Sequence, residues 1–287
     1  MILRSSPTAQ QLPQYLLIAI LAGCAAIHLS LIVRISDSNQ LGGAIVAWVA
    51  IASLLWQHRD RRVLVSSPLA SAIGTLLLTI VLLKSAHLTR AETWLDYAPW
   101  LMAIGVSLLA AGWRGLRDYW RELLILAVPA ILPSLTARLF NLAPLTAKLS
   151  TFFLVITGFP VFNQGVYIQH QGNSVEVNYG CSGMAVILQL LHLVLIYLLI
   201  FPSRRRYWLL LPIVATIIAV IVNAVRVGLL AILNAPVTKA AFDYWHDGEG
   251  SVIFSLLAVL LLGAVVYFGV PIGSKDQELA QAGKRHE

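Results

Sequence analysis

Arg204-Arg205-Arg206 is followed by Tyr207-Trp208-Leu209-Leu210-Leu211-Pro212-Ile213-Val214-Ala215-Thr216-Ile217-Ile218-Ala219-Val220-Ile221-Val222-Asn223-Ala224-Val225-Arg226-Val227-Gly228-Leu229-Leu230-Ala231-Ile232-Leu233. A run of about 20 mostly apolar residues is enough to cross a bilayer, and this one carries a single charge, Arg226, near its far end. The basic triplet at its start marks the end that stays in the cytoplasm. An arginine at the other end costs a few kcal/mol unless it is paired, used, or able to reach the headgroups. Asn223 lies one turn before it, on the same helical face.

The rest of the chain repeats the pattern. It is 59% hydrophobic and 11% charged, with mean hydropathy +0.80, against roughly 25% charged residues in a soluble domain. The fold class expected is an all-α integral membrane protein with about eight transmembrane helices: Gln14–Val33, Leu41–Trp56, Pro68–Leu83, Tyr97–Trp113, Glu122–Phe140, Ser182–Phe201, Tyr207–Leu233 and Ser251–Val270. The net charge of +7 does not point to nucleic acid, because the basic residues sit in short loops after even-numbered spans. These are Arg59, Arg61 and Arg62; Arg114, Arg117 and Arg121; Arg204 to Arg206; and Lys284 with Arg285. All four clusters agree on one orientation, with both termini cytoplasmic. The expected location is the bacterial cytoplasmic (inner) membrane.

Leu21-Ala22-Gly23-Cys24 matches a lipoprotein cleavage site, but the chain continues apolar through Ala25-Ala26-Ile27 without a polar tether, so a membrane helix is the better reading. Cys24 then lies mid-membrane and Cys181 at the outer boundary, too far apart in depth for a disulfide. Leu149–Phe162 is apolar but short, which suggests a surface-lying or re-entrant piece. In the longest polar interval, Asn163–Gly180, the segments Val166–Gln169 and Ser174–Val177 flank a turn-like Gln171-Gly172-Asn173, so a small outer hairpin is expected before the sixth span. The organisation expected is a scaffold of four to five helices over residues 1–142, a catalytic membrane region over 143–272 and a cytoplasmic tail over 273–287.

Three residues converge on the outer face under this topology. Cys181, in Asn178-Tyr179-Gly180-Cys181-Ser182-Gly183, opens the sixth span. A helix N-terminus presents free N–H groups and partial positive charge, which favours the nucleophilic thiolate. Ser182 and Gly183 suit a tight entry, with backbone amides that could bind an oxyanion. Arg226 is level with Cys181. His246, in Trp245-His246-Asp247-Gly248, stands in the other polar outer loop and can take and return a proton. The blander readings are a small buried cysteine, a snorkelling arginine and a loop histidine. His170, in the hairpin, is the reserve base, and Arg138 reads as a snorkelling residue. No Cys/His spacing resembles a zinc or haem site and no Gly-rich phosphate loop is present, so neither metal nor cofactor is expected.

These residues resemble the exosortase/archaeosortase membrane transpeptidases. The resemblance rests on Cys181-Ser182-Gly183, on Asn223-x-x-Arg226-Val227 and on His246-x-x-x-Gly250-x-x-x-Phe254, which occur in the family's order over about Leu149–Val270. Tyr179-Gly180 stands where the family commonly has Glu-Ala, and Met184 follows the glycine where Leu-Arg is frequent, which is similar to a divergent, cyanobacterial subgroup. The resemblance implies a cysteine peptidase that takes membrane-anchored protein substrates by a C-terminal sorting signal: a Pro-Glu-Pro-type motif, a transmembrane helix and a basic end. Cys181, Arg226 and His246 would be catalytic, with Ser182, Gly183 and Asn223 in support. Cys181 would form a thioester that an unidentified acceptor amine or water resolves. Two other classes compete: a transporter in which Arg226 binds an anion, although neither inverted repeats nor broken helices are legible, and a non-catalytic assembly or polysaccharide-export partner.

Overall fold

A computed structural model describes residues 7–35, 38–57, 64–88, 93–201, 203–246 and 248–270. The cluster Arg59, Arg61 and Arg62, the tail 273–287 and Asp247 lie outside the described residues. Among the described residues ten α-helices run in the order α1 (Pro7–Ile35), α2 (Ser38–Gln57), α3 (Pro68–Ala86), α4 (Trp94–Asp118), α5 (Trp120–Leu139), α6 (Ala143–Ile156), α7 (Met184–Ile200), α8 (Tyr207–Leu233), α9 (Lys239–His246) and α10 (Glu249–Gly269). Seven of them, α1 to α5, α8 and α10, are long and apolar enough to cross a membrane. The chain is an all-α integral membrane protein with one small sheet between α6 and α7.

The expected sixth span is the shortest of the set. It begins at Met184 rather than Ser182, because Gly183 at its N-cap has φ 85 and ψ −1, left-handed values that do not continue a helix. The remaining 17 residues extend about 26 Å at 1.5 Å per residue. The apolar piece read as Leu149–Phe162 divides into the 14-residue helix α6 and a strand, β1 (Val161–Gln164).

The chain forms two compact units, Met1–Ile131 and Leu132–Glu287. In the first, α3 and α4 approach through glycines: a Cβ on Gly74 would stand 2.7 Å from the Gly105 carbonyl oxygen. Small residues permit such contact where no hydrophobic effect drives helices together. Cys24 is buried against Leu78, Val81, Ala98, Met102 and Val106, and His28 Nδ1 accepts a hydrogen bond from Trp48 Nε1 at 3.1 Å.

The second unit packs α7, α8 and α10 around Leu190, Val194, Leu211, Ala215, Ala219 and Ala258. Its sheet is antiparallel in the order β1-β2-β3, with β2 (Tyr167–His170) and β3 (Asn173–Glu176) joined by a two-residue turn. Gln171 (φ 47) and Gly172 (φ 81) both have positive φ, as a primed hairpin turn requires. The expected hairpin therefore gains a third strand, and its inner residues Val161, Ile168 and Val177 share one buried cluster with Cys181, Val227 and Ala231.

Candidate active site

The turn between sheet and α7 is fixed from three sides. Asn178 accepts the Cys181 amide through its side chain at 3.0 Å and through its carbonyl at 3.2 Å. Asn223, on α8 and only 2% exposed, donates Nδ2 to the Cys181 carbonyl at 2.9 Å. Thr146, on α6, donates to the Ser182 carbonyl at 2.8 Å, and four residues on, Ser150 donates to the Ala224 carbonyl on α8, also at 2.8 Å. Gly183 is required twice over: its φ is left-handed, and a Cβ there would lie 2.7 Å from Asn223 Nδ2. The Cys-Ser-Gly and Asn residues are thus two halves of one packed joint.

Cys181 projects from this joint with 8% of its surface exposed. Its Sγ lies 3.3 Å from His246 Nε2, although the two are 65 positions apart in the chain. His246 does not sit in a loop, as its sequence suggested, but ends the amphipathic helix α9. Phe242, one turn earlier, stacks on the imidazole with centroids 5.2 Å apart and planes at 14°. That contact limits the ring to one plane, so its free edge is aimed at the thiol.

Arg226 Nη2 donates to the His246 backbone carbonyl at 2.8 Å, tying α8 to the end of α9. The Nε of Arg226 and the Oδ1 of Asn223 are buried with no hydrogen-bond partner among the described residues. Buried polar atoms of this kind are uncommon and ask for an unseen partner. One expected oxyanion donor is engaged: the Ser182 amide donates to the Tyr179 carbonyl at 3.1 Å.

The spacing His246-x-x-x-Gly250-x-x-x-Phe254 also has a packing basis. A Cβ on Gly250 would stand 2.8 Å from the rings of both Tyr244 and Trp245, and Trp245 meets Phe254 edge to face at 5.6 Å. The first turns of α10 are therefore shaped to receive the aromatic end of α9. His170, the reserve base, is engaged elsewhere: its Nδ1 contacts the Pro160 carbonyl at 3.3 Å, and its ring packs edge-on against Phe159. Arg138 is exposed at the end of α5. Among the described residues, no group of three or more His, Cys, Asp or Glu side chains is placed to hold a metal ion.

A cleft of about 160 Å³ opens beside the pair, with Cys181 and His246 at one wall and Val227, Leu230 and Phe242 around it. A multi-pass membrane protein with a thiol and an imidazole in hydrogen-bond contact, one polar helix face behind them and a cleft in front, has the parts of a cysteine acyl-transfer site. Residues 34–263 match the model of the transmembrane exosortases, and the chain belongs to that family of sorting transpeptidases. No curated protein and no solved structure matches it.

Proposed function

We propose that this exosortase is a cysteine-type transpeptidase that cleaves the C-terminal sorting signal of exported proteins through a thioester on Cys181. The observation that carries the reading is the 3.3 Å contact between Cys181 Sγ and His246 Nε2, within the reach a nucleophile and its base require. His246 takes the thiol proton as sulfur attacks the carbonyl carbon. The tetrahedral intermediate collapses with cleavage of the C–N bond, and the imidazolium returns its proton to the departing amine. An acceptor amine or water then attacks the thioester with His246 again as base, restoring the thiol. Arg226 cannot lose its proton. Its role is to hold the His246 carbonyl and, through its unpartnered Nε, to stabilise charge on the oxyanion.

The same reading places the site on the outer side of the bacterial cytoplasmic membrane. Arg206 donates to Tyr207 Oη, and Tyr207 Oη donates to the Gly269 carbonyl, so the start of α8 and the end of α10 share one level. Arg226 lies 19 residues beyond Tyr207, about 28 Å along the helix, close to a hydrocarbon thickness of about 30 Å. Reporters fused after Arg121 and Arg206 are expected to read cytoplasmic and one after Lys239 external; an internal reading at Lys239 overturns the orientation.

The chemistry is tested with an exported reporter ending in Pro-Glu-Pro, an apolar helix and a basic tail. The wild type is expected to release the tail and, after acid quenching, to carry the reporter's new C-terminus on Cys181 as a thioester visible by mass spectrometry. Release without any adduct on Cys181, unchanged in Cys181→Ala, overturns the mechanism.

A further inference from the structure

β3 is an edge strand, and its open edge is one wall of the cleft that holds Cys181. The order β1-β2-β3 leaves β3 paired on one side only. The two-residue turn makes His170 and Asn173 a hydrogen-bonded pair, and such pairs recur at every second residue. Ile168 with Val175 is the next, and Val166 with Val177 continues it, the Val177 amide donating to the Val166 carbonyl at 2.9 Å. The main-chain groups of Asn173, Val175 and Val177 are therefore spent on β2, whereas those of Ser174 and Glu176 point the other way. At the far end of that edge the Ser174 carbonyl accepts Asn234 Nδ2 at 2.9 Å. The N–H and carbonyl of Glu176 and the N–H of Ser174 remain directed outward, and both residues line the cleft together with Cys181, Val227, Leu230 and His246.

An open strand edge is a template for another extended chain, and main-chain pairing to such an edge is a general means of holding peptides. Here the template leads to a thiol paired with an imidazole, and the apolar wall of Val227 and Leu230 faces it. We infer that the edge of β3 is the substrate-binding strand: the peptide whose carbonyl is transferred to Cys181 adds to the sheet as a fourth, extended strand, with one residue exchanging both main-chain hydrogen bonds with Glu176. The inference rests on Cys181 being the acyl acceptor. The bonds to Glu176 involve only main chain, so they fix depth and register and leave side-chain choice to the cleft walls. Every second peptide residue turns its N–H away from β3, and only those positions tolerate loss of the amide hydrogen.

Alanine-based peptidyl chloromethyl ketones of one to four residues, applied to the full-length protein in membranes, test the proposal by the rate at which Cys181 is alkylated. The four-residue reagent is expected to react at least about tenfold faster than the one-residue reagent, a gain of about 1.4 kcal/mol. N-methylation at alternate residues should cancel that gain and at the intervening residues leave it intact. Glu176→Pro, which removes the outward N–H, should cancel the gain, the four-residue and one-residue reagents then reacting with that variant at about the same rate; Glu176→Ala, which keeps the N–H, should keep the gain. A gain without period two in the N-methyl series, which needs no variant, overturns the strand, as does a Glu176→Ala rate equal to that of Glu176→Pro. Failure of the underlying reading looks different. Cys181 would then react with no reagent faster than the buried Cys24, and the strand proposal would fall with it.

Discussion

Each unit of the chain sets a histidine against a polar partner, and the partners differ in kind. In the first unit His28 accepts a hydrogen bond from Trp48 Nε1. An indole N–H is a donor only and does not titrate, so the pair fixes one tautomer of His28 and leaves its proton nowhere to go. In the second unit His246 faces Cys181 Sγ, and a thiol is a group that can ionise and act as a nucleophile. Around His28 the partner completes the geometry. Around His246 the supporting residues still hold buried, unanswered atoms, Arg226 Nε and Asn223 Oδ1. A polar residue in a membrane helix is thus no sign of chemistry by itself; what matters is whether its partner can exchange a proton and whether hydrogen-bonding capacity is left over.

The sharpest way to break this contrast is to remove the exchanging partner. Cys181→Ala is expected to reduce reporter cleavage by at least about 10³-fold, as for other nucleophiles that act as a unit with their base, while the protein accumulates in the membrane at the wild-type level. His246→Gln should fall as far, because glutamine keeps a hydrogen bond but cannot cycle a proton. A His246→Gln protein that retains cleavage would reduce His246 to a second His28.

Next comes Arg226→Lys. The guanidinium has a nitrogen on the His246 carbonyl and another unpartnered, and a lysine cannot serve two directions from one planar fork. Cleavage should drop about 10²-fold, the scale of losing one oxyanion donor, while chloroacetamide still alkylates Cys181. Cleavage at the wild-type rate would leave Arg226 as a snorkelling residue.

How much of this was legible beforehand follows from what each residue depends on. Cys181, Arg226 and His246 were readable as one end of three spans, because apolar periodicity and basic loops fix which end of a helix a residue occupies. The hairpin was readable from two short alternating segments about Gln171-Gly172. The strand β1 was not, since Val161-Phe162 continues an apolar run and only its pairing with β2 separates it from α6. The helix α9 was hidden in a polar stretch of eight residues, too short for periodicity to declare. Thr146, Ser150 and Phe242 carry no signal in the sequence, because hydroxyls and aromatics are ordinary in membrane helices, and their value lies in a carbonyl or a ring that only the fold brings near. The bond from Arg226 to the His246 main chain could not be inferred from side-chain types at all.

Gly250→Ala sharpens the contrast from the packing side. The new methyl would meet the Tyr244 and Trp245 rings at 2.8 Å, two neighbours of His246 on α9. Overpacking of this kind costs about 1–3 kcal/mol. Displacement of the imidazole should cost roughly tenfold in cleavage rate, since sub-ångström placement of a base governs its efficiency. Equal cleavage in Gly250→Ala and wild type would show that α9 tolerates movement without loss of the thiol–imidazole contact.

The smallest effect is expected at the other cysteine. Cys24 is 3% exposed in α1, with Leu78, Val81, Met102 and Val106 around it. Its surroundings are apolar, and a buried cysteine in such a setting packs as a small hydrophobe. Cys24→Ala removes one sulfur atom and leaves a small void, worth about 1 kcal/mol of stability as for typical single substitutions. Cleavage should therefore stay within about twofold of wild type, and the alkylation of Cys181 should be unchanged. The paired measurement is mass spectrometry after brief labelling: the wild type and Cys24→Ala should each carry one adduct on Cys181, and Cys181→Ala none. Loss of cleavage in Cys24→Ala, with the protein still present in the membrane, would mean that the first unit contributes to the reaction and that its polar residues are more than internal packing.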